Sequence, residues 1–105
     1  MTRTPAEARS REEVRAEIDR LDRELVRLLG ERFGFIRRMA EIKSDPAEAY
    51  LQDRVDAVLA NVLAEVRQQG LDPALAEKLW RLLIDWNVEF ERKTIATRQK
   101  QDDRS

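Results

Sequence analysis

Residues 11–43 read REEVRAEIDRLDRELVRLLGERFGFIRRMAEIK, and the spacing of the apolar residues in this stretch decides the fold. Apolar side chains recur at alternating steps of four and three residues, which is typical of one face of an α-helix. The seam consists of Val14, Ile18, Leu21, Leu25, Leu28, Phe35 and Met39. The pattern predicts a single helix of roughly 33 residues, about 50 Å long.

A helix of this length is more than a small three-helix globule needs, because a chain of 105 residues cannot cover the whole seam. The seam is therefore expected to pack against a second copy of the chain. Gly30 and Gly34 lie four residues apart in this helix, where they favour close approach of another backbone or of a ligand.

Cap and stop signals define the three helices. Ser10 followed by Glu13 is a capping-box pattern at the start of the first helix. A loop at residues 44–50 leads into the second helix, which Gly70 ends. An Asp-Pro pair at residues 72–73 then begins the third helix.

The sequence contains no strand pattern and no internal repeat. We expect an all-α chain of three helices with a very long first helix, intertwined as a homodimeric helical bundle. The helical domain is predicted at residues 10–98, between flexible tails at 1–9 and 99–105. Trp80 and Trp86 are interpreted as core or dimer packing.

The composition excludes several classes of function. Charged residues make up 39% of the chain but nearly cancel to a net charge of −1, so nucleic acid and membrane surfaces are not expected as partners. Cysteine and histidine are absent, which removes disulfides, thiolate nucleophiles, the usual zinc ligands and the commonest general base. We expect no metal and no cofactor, and any catalysis would work by positioning and electrostatics. The lack of a membrane-spanning run and of a signal-peptide pattern favours a cytoplasmic protein.

Two cations accompany the apolar seam. Arg32 occupies a seam position between Leu28 and Phe35, where an unpaired guanidinium is costly to bury. Lys43 lies eleven residues further on, close to three helical turns, and projects from nearly the same face. In one interpretation a carboxylate of a neighbouring helix neutralises Arg32, and Lys43 is a solvated lysine at the helix end. The in-phase spacing favours the other interpretation, in which both cations bind an anion.

These residues belong to a wider pattern that resembles the all-helical chorismate mutase family over about residues 10–98. The combination of Arg15, Arg32 and Lys43, at spacings of 17 and 11 residues, is specific to that pattern. The matching segments are Val14-Arg15-x-x-Ile18-Asp19-x-x-Asp22, Leu28-Leu29-Gly30-Glu31-Arg32, Ile42-Lys43, Asp53-Arg54 and Gly70-Leu71-Asp72.

The resemblance implies a homodimer with two equivalent active sites that rearranges chorismate, a small dicarboxylate, to prephenate. In the family, the arginines that match Arg15 and Arg32 bind the two substrate carboxylates, and the lysine that matches Lys43 donates to the ether oxygen and to a carboxylate. Arg15 would reach the site of the partner chain. Independently, its offset of 17 residues places it about a quarter turn away from the face of Arg32.

Two substitutions depart from the commonest family pattern. Gln52-Asp53 stands where many members have Arg-Glu, so a cation is missing, although Asp53 can still accept from a substituent at C4 of the substrate ring. Glu91 stands where a glutamine usually donates to the ether oxygen, and it can donate only when protonated. Asn87 is a plausible polar group of the pocket. In the alternative interpretations, Asp53 is a first-turn carboxylate favoured by the helix dipole and Glu91 is a surface partner of a basic neighbour.

The short interval between Lys43 and Asp53, together with Ile84-Asp85-Trp86, resembles a particular subfamily. It contains isochorismate-pyruvate lyases and 4-amino-4-deoxychorismate mutases. The acidic groups would tolerate an ammonium at C4 better than a cation-rich pocket would.

We therefore predict a chorismate-mutase-type isomerase that acts on chorismate or on 4-amino-4-deoxychorismate. Isochorismate-pyruvate lyase activity and a non-catalytic helical dimer or regulatory subunit remain alternatives, and a requirement for a partner enzyme stays open. The predicted catalytic residues are Arg32, Lys43 and Glu91, and the predicted substrate-binding residues are Arg15, Gln52, Asp53 and Asn87.

Overall fold

Three α-helices and two short 3-10 helices make up the protein in its computed structural model, which describes residues 2–104. The predicted all-α chain with three helices and a very long first helix is confirmed, and no strand occurs in the described part of the chain. None of the described helices is both long enough and apolar enough to cross a membrane. Helix α1 spans Arg11–Ile42, α2 spans Gln52–Gln69 and α3 spans Pro73–Arg104, and the 3-10 helices span Pro5–Glu7 and Pro46–Ala49.

Helix α1 begins where the sequence predicts. Ser10 Oγ accepts a hydrogen bond from the N–H of Glu13 at 3.1 Å, which satisfies one of the free donors of the first turn. The Glu13 carboxylate accepts from the backbone N–H of Arg9 at 3.0 Å. In a standard capping box it would accept from the N–H of the cap residue itself, which is Ser10. The helix then runs for 32 residues.

The chain forms two compact units, whose boundary lies within α1 after Phe35. In the first unit, the segment before α1 is attached to the helix through Arg3, whose N–H donates to Glu17 at 3.1 Å. Glu17 also accepts from Arg20 at 2.8 Å, and this bond holds the pKa of the Glu17 carboxyl below its ordinary value. The segment expected as a flexible tail at residues 1–9 thus includes the first 3-10 helix.

The second unit contains the end of α1, the second 3-10 helix, α2 and α3. Helix α3 contacts both α2 and the second 3-10 helix. All the buried apolar side chains of the described chain lie in this unit, and half of them are alanines, so the core of a single chain is thin. These residues are Ala40, Ala49, Val66, Ala76, Ile84 and Ile95.

Local signals set the ends of α2 and α3. Gly70 follows α2 with a φ of 71°, and its N–H donates back into the last turn of that helix. Asp72 caps α3, because its carboxylate accepts from a backbone N–H of the first turn at 2.8 Å. Asp45 accepts in the same way at 2.9 Å before the second 3-10 helix. The loop predicted at residues 44–50 therefore contains a helical turn.

Helix α3 continues beyond the predicted end of the helical domain. It reaches Arg104, so residues 99–104, expected as part of a flexible tail, are helical. Glutamine, lysine and arginine in this segment favour helix, and the Gln99 side chain donates to the carbonyl of Ser44. The outermost residues of the two expected tails, Met1 and Ser105, lie outside the described residues.

The apolar seam of α1 is uncovered in the single chain. Its seven side chains are between 42% and 71% exposed. Single exposed apolar residues are common on protein surfaces, but a continuous row of them marks a binding surface. The seam is thus available to a second protein surface.

Candidate active site

Lys43 and Glu91 form an ion pair in the second unit, although 48 residues separate them. The Lys43 ammonium donates to Glu91 Oε1 at 2.8 Å, and the two side chains are only 15% and 7% exposed. Glu91 is therefore not a surface partner of its basic neighbours, and Arg92 and Lys93 pair instead with Glu89. Lys43, likewise, is not a freely solvated lysine at a helix end.

Helix α3 places Glu91 through the spacing of its buried residues. Ile84, Asn87, Glu91 and Ile95 are all buried and follow each other at steps of three or four residues, so they share one face of the helix. Glu91 therefore turns inward with this face. A carboxylate on a buried face requires a partner that replaces its lost hydration. Lys43, the first residue after α1, supplies that partner.

Asn87 adds a polar group one helical turn before Glu91. It is 7% exposed, and its side chain makes no hydrogen bond to another described residue. Within the described chain, no side-chain polar atom is both sealed from solvent and unpaired, so the Asn87 amide keeps some access to solvent. A mostly buried amide with free donors and a free acceptor is suited to bind a polar ligand.

The ion pair leaves capacity for a ligand as well. An ammonium carries three N–H donors, and the bond to Glu91 uses one of them. Lys43 therefore has donors left for an oxygen of a ligand. No group of three or more acidic side chains within the described residues is placed to hold a metal ion. The groups that these residues supply are the cation of Lys43, the carboxylate of Glu91 and the amide of Asn87, which act on a ligand by electrostatics and hydrogen bonding.

The sequence pattern did not reveal Arg98, which holds the end of α1. Its guanidinium donates to the carbonyl of Ala40 at 2.7 Å and also to the carbonyl of Lys43. A signal for this residue does exist, because Arg98 lies two helical turns after Glu91 and hence on the same face of α3.

Arg15 and Arg32 belong to the first unit. Arg15 is exposed and Arg32 is half-buried. Neither side chain makes a hydrogen bond or an ion pair with another described residue, so no carboxylate of the described chain neutralises Arg32. Both guanidinium groups thus keep their donors free of partners from the described residues.

Gln52 and Asp53 begin α2 in the second unit. The Gln52 amide donates to Asp56 at 2.8 Å and accepts from the Tyr50 hydroxyl. Asp53 is exposed in the first turn of α2, where the helix dipole favours a carboxylate. Both interpretations of Asp53, as a ligand group and as a first-turn carboxylate, fit this position.

Comparison with known proteins identifies a family and a relative. The model of the family described as chorismate mutase type II matches residues 14–92, a range that includes every candidate site residue from Arg15 to Glu91. An isochorismate pyruvate lyase of Pseudomonas aeruginosa is 28% identical over 91 residues, which cover 87% of this chain and 90% of the other. Arg98 lies beyond the matched segment.

Proposed function

The chain belongs to the chorismate mutase type II family, and from that premise we propose that it is a chorismate-mutase-type isomerase. Its substrate is chorismate or 4-amino-4-deoxychorismate, which it converts to prephenate or to the amino analogue of prephenate. The observation that carries the proposal is the largely buried ion pair of Lys43 and Glu91 at 2.8 Å. A preorganised cation in a largely water-excluded position is the group that this reaction requires.

The proposed reaction is a Claisen rearrangement, which breaks one C–O bond and forms one C–C bond within a single molecule. No proton or group is transferred, so the protein has to hold the compact conformer and to stabilise negative charge on the ether oxygen. Lys43 donates to that oxygen with an N–H that Glu91 leaves free. Arg15 and Arg32 clamp the two carboxylates, for which the planar guanidinium fork is suited.

Each site is completed by a second copy of the chain. The seam of α1, with side chains 42% to 71% exposed, becomes covered when the same helix of another copy packs against it. In the resulting intertwined homodimer, Arg15 reaches the site of the partner. The domain that forms this dimer and its active sites spans residues 10–98.

The substituent at C4 of the ring distinguishes the two proposed substrates. Gln52, Asp53 and Asn87 supply polar groups for the ring. Asp53 and Glu91 supply negative charge, and the ammonium of Lys43 already balances one of these carboxylates. An amine at C4 therefore meets less repulsion here than in a pocket with an additional cation.

Isochorismate-pyruvate lyase activity is the second candidate, and the similarity to the Pseudomonas aeruginosa protein of that name favours it. The decisive experiment is incubation of the purified protein with chorismate, 4-amino-4-deoxychorismate and isochorismate, with the products identified by mass and absorbance. We expect rearrangement of at least one of the first two compounds. Pyruvate release from isochorismate alone would replace the proposal with the lyase, and no turnover at all would favour a non-catalytic dimer or regulatory subunit.

A variant of Lys43 links the activity to the site. Lys43→Ala should lower kcat/KM by roughly 10²–10³-fold, about 3–4 kcal/mol, because it removes a preorganised charged donor. Lys93→Ala is the matched control, since its side chain is 74% exposed on α3, and it should keep the parent activity. Circular dichroism checks folding, because Lys43→Ala leaves Glu91 unpaired. Activity of Lys43→Ala within tenfold of the parent would contradict the assignment.

A further inference from the structure

The C-terminal end of α1 is capped by a side chain of another helix. The last carbonyls of a helix have no partner within that helix, and a nearby cation both bonds to them and complements the helix dipole. The last turn of α1 contains no basic residue. Arg98 of α3 fills this role by donating to the carbonyls of Ala40 and Lys43. The end of α1 is therefore fixed from α3.

Arg98 and Glu91 hold the same lysine at two different points. Glu91 binds the Lys43 ammonium at 2.8 Å, and Arg98 binds the Lys43 carbonyl. The two α3 residues lie seven positions apart, which is about two helical turns, so they project from one face. One rigid helix thus constrains both the side-chain end and the main chain of Lys43.

The surroundings of this cap are packed. Ile95, between Glu91 and Arg98 on α3, has no exposed surface, and neither has Ala40 at the other end of the hydrogen bond. Arg98 itself is half-buried. A guanidinium whose side chain is already packed against its neighbours holds its partner more rigidly than an exposed guanidinium does, because forming the hydrogen bonds costs it less side-chain entropy.

We propose that Arg98 is a positioning residue for Lys43, an inference that rests on the proposed function. Lys43 reaches its site through a flexible four-carbon side chain, so the placement of its main chain decides where the ammonium lies. The N–H of Lys43 donates to the carbonyl of Met39 at 2.9 Å, and loss of the Arg98 cap frees this last turn to fray. Displacement of a catalytic group by about 1 Å costs roughly 10²-fold in rate. The effect falls on kcat, because the ammonium acts on charge that develops during the reaction.

The test compares Arg98→Ala and Arg98→Lys with Arg92→Ala. Arg92 is an exposed arginine of the same helix that pairs with Glu89, so its variant is the matched control. We expect Arg98→Ala to lower kcat at least about tenfold with KM within about threefold of the parent, and Arg92→Ala to leave both unchanged. Arg98→Lys keeps the charge and a donor, so it should recover part of the loss and covers the case in which Arg98→Ala fails to fold.

A double variant shows whether Arg98 acts through Lys43. In a Lys43→Ala background, Arg98→Ala should change kcat by less than about twofold, because the group that it positions is gone. An equal loss in both backgrounds would overturn the proposal, since Arg98 would then act on the fold or on another group. Parent-like kcat for Arg98→Ala would overturn it as well.

Hydrogen exchange tests the cap without any substrate. The backbone amide of Lys43 should exchange about tenfold faster in Arg98→Ala than in the parent or in Arg92→Ala, because the last turn of α1 opens more often. If the parent turns over no substrate, the proposed function fails while this measurement still decides whether Arg98 holds Lys43. Unchanged exchange at Lys43 would refute the positioning role whatever the activity.

Discussion

The Lys43 ammonium and the Glu91 carboxylate are withdrawn from water together, and such a pair contributes little net stability. The loss of hydration of both charges offsets most of their attraction. Removing one partner is far more costly, because the other charge stays buried without compensation. The proposed role of Lys43 in the reaction accounts for the pair better than the stability that the pair adds.

Replacing Glu91 with glutamine separates two roles of this side chain. If Glu91 donates to the ether oxygen, a side chain that always carries an N–H donor should serve at least as well. Glu91→Gln supplies such a donor, so its activity on chorismate should equal or exceed that of the parent. Glu91→Ala removes the group and should lose activity. Initial rates on chorismate measure both variants.

The alternative role gives the opposite result on a different substrate. If the ionised Glu91 recognises an ammonium at C4, Glu91→Gln should weaken 4-amino-4-deoxychorismate specifically and leave chorismate little affected. A Glu91→Ala protein that matches the parent on every substrate would exclude both roles.

Single residues were predictable to different degrees. The inward orientation of Glu91 follows from its position beside the apolar stripe of α3, which the sequence displays. Its pairing with Lys43 does not follow, because contact across 48 residues depends on how α3 docks on the end of α1. Arg98 was missed for the same reason. The roles of Arg15, Arg32 and Lys43 in a reaction stay predictions.

At the scale of helices, the ends with short-range caps were predicted well. Ser10, Gly70 and Asp72 each make the hydrogen bond that their cap position requires, and each bond spans only a few residues. The end of α3 was not predicted, since polar residues from position 99 onward suit a solvated helix as well as a tail. A cap encoded in neighbouring residues can be recognised locally, whereas one supplied from another helix cannot.

The turn between α2 and α3 depends on Gly70. Its φ of 71° is in the left-handed region, where a side chain is strained, and a Cβ added there would meet no atom within 4 Å. Gly70→Ala should therefore lower the free energy of unfolding by about 1–2 kcal/mol through backbone strain alone. Chemical denaturation measures the loss.

Gly70→Asn is the matched control for this turn. Asparagine tolerates the left-handed region better than alanine, so the Asn variant should be more stable than the Ala variant although its side chain is larger. Equal stability of the two variants would mean that backbone conformation at Gly70 does not limit the fold.

For the whole molecule, the seam of α1 makes self-association testable. Leu25 is a seam residue that is 56% exposed in one chain, whereas Val26 lies beside the seam and is 69% exposed. The parent protein should be a dimer by light scattering at micromolar concentration, and Leu25→Lys should be largely monomeric because a charge enters an apolar interface. Val26→Lys should remain a dimer. A monomeric parent would contradict the intertwined arrangement.

Because the apolar row is uncovered in a single chain, the activity per molecule would also depend on how abundant the protein is. When folding and pairing are one process, stability depends on concentration by mass action. Each tenfold dilution removes about 1.4 kcal/mol from the free energy that favours the pair. A cell with few copies would hold a larger share of incomplete single chains than a cell with many. The total enzyme activity in the cell would then rise more steeply than the number of copies of the protein.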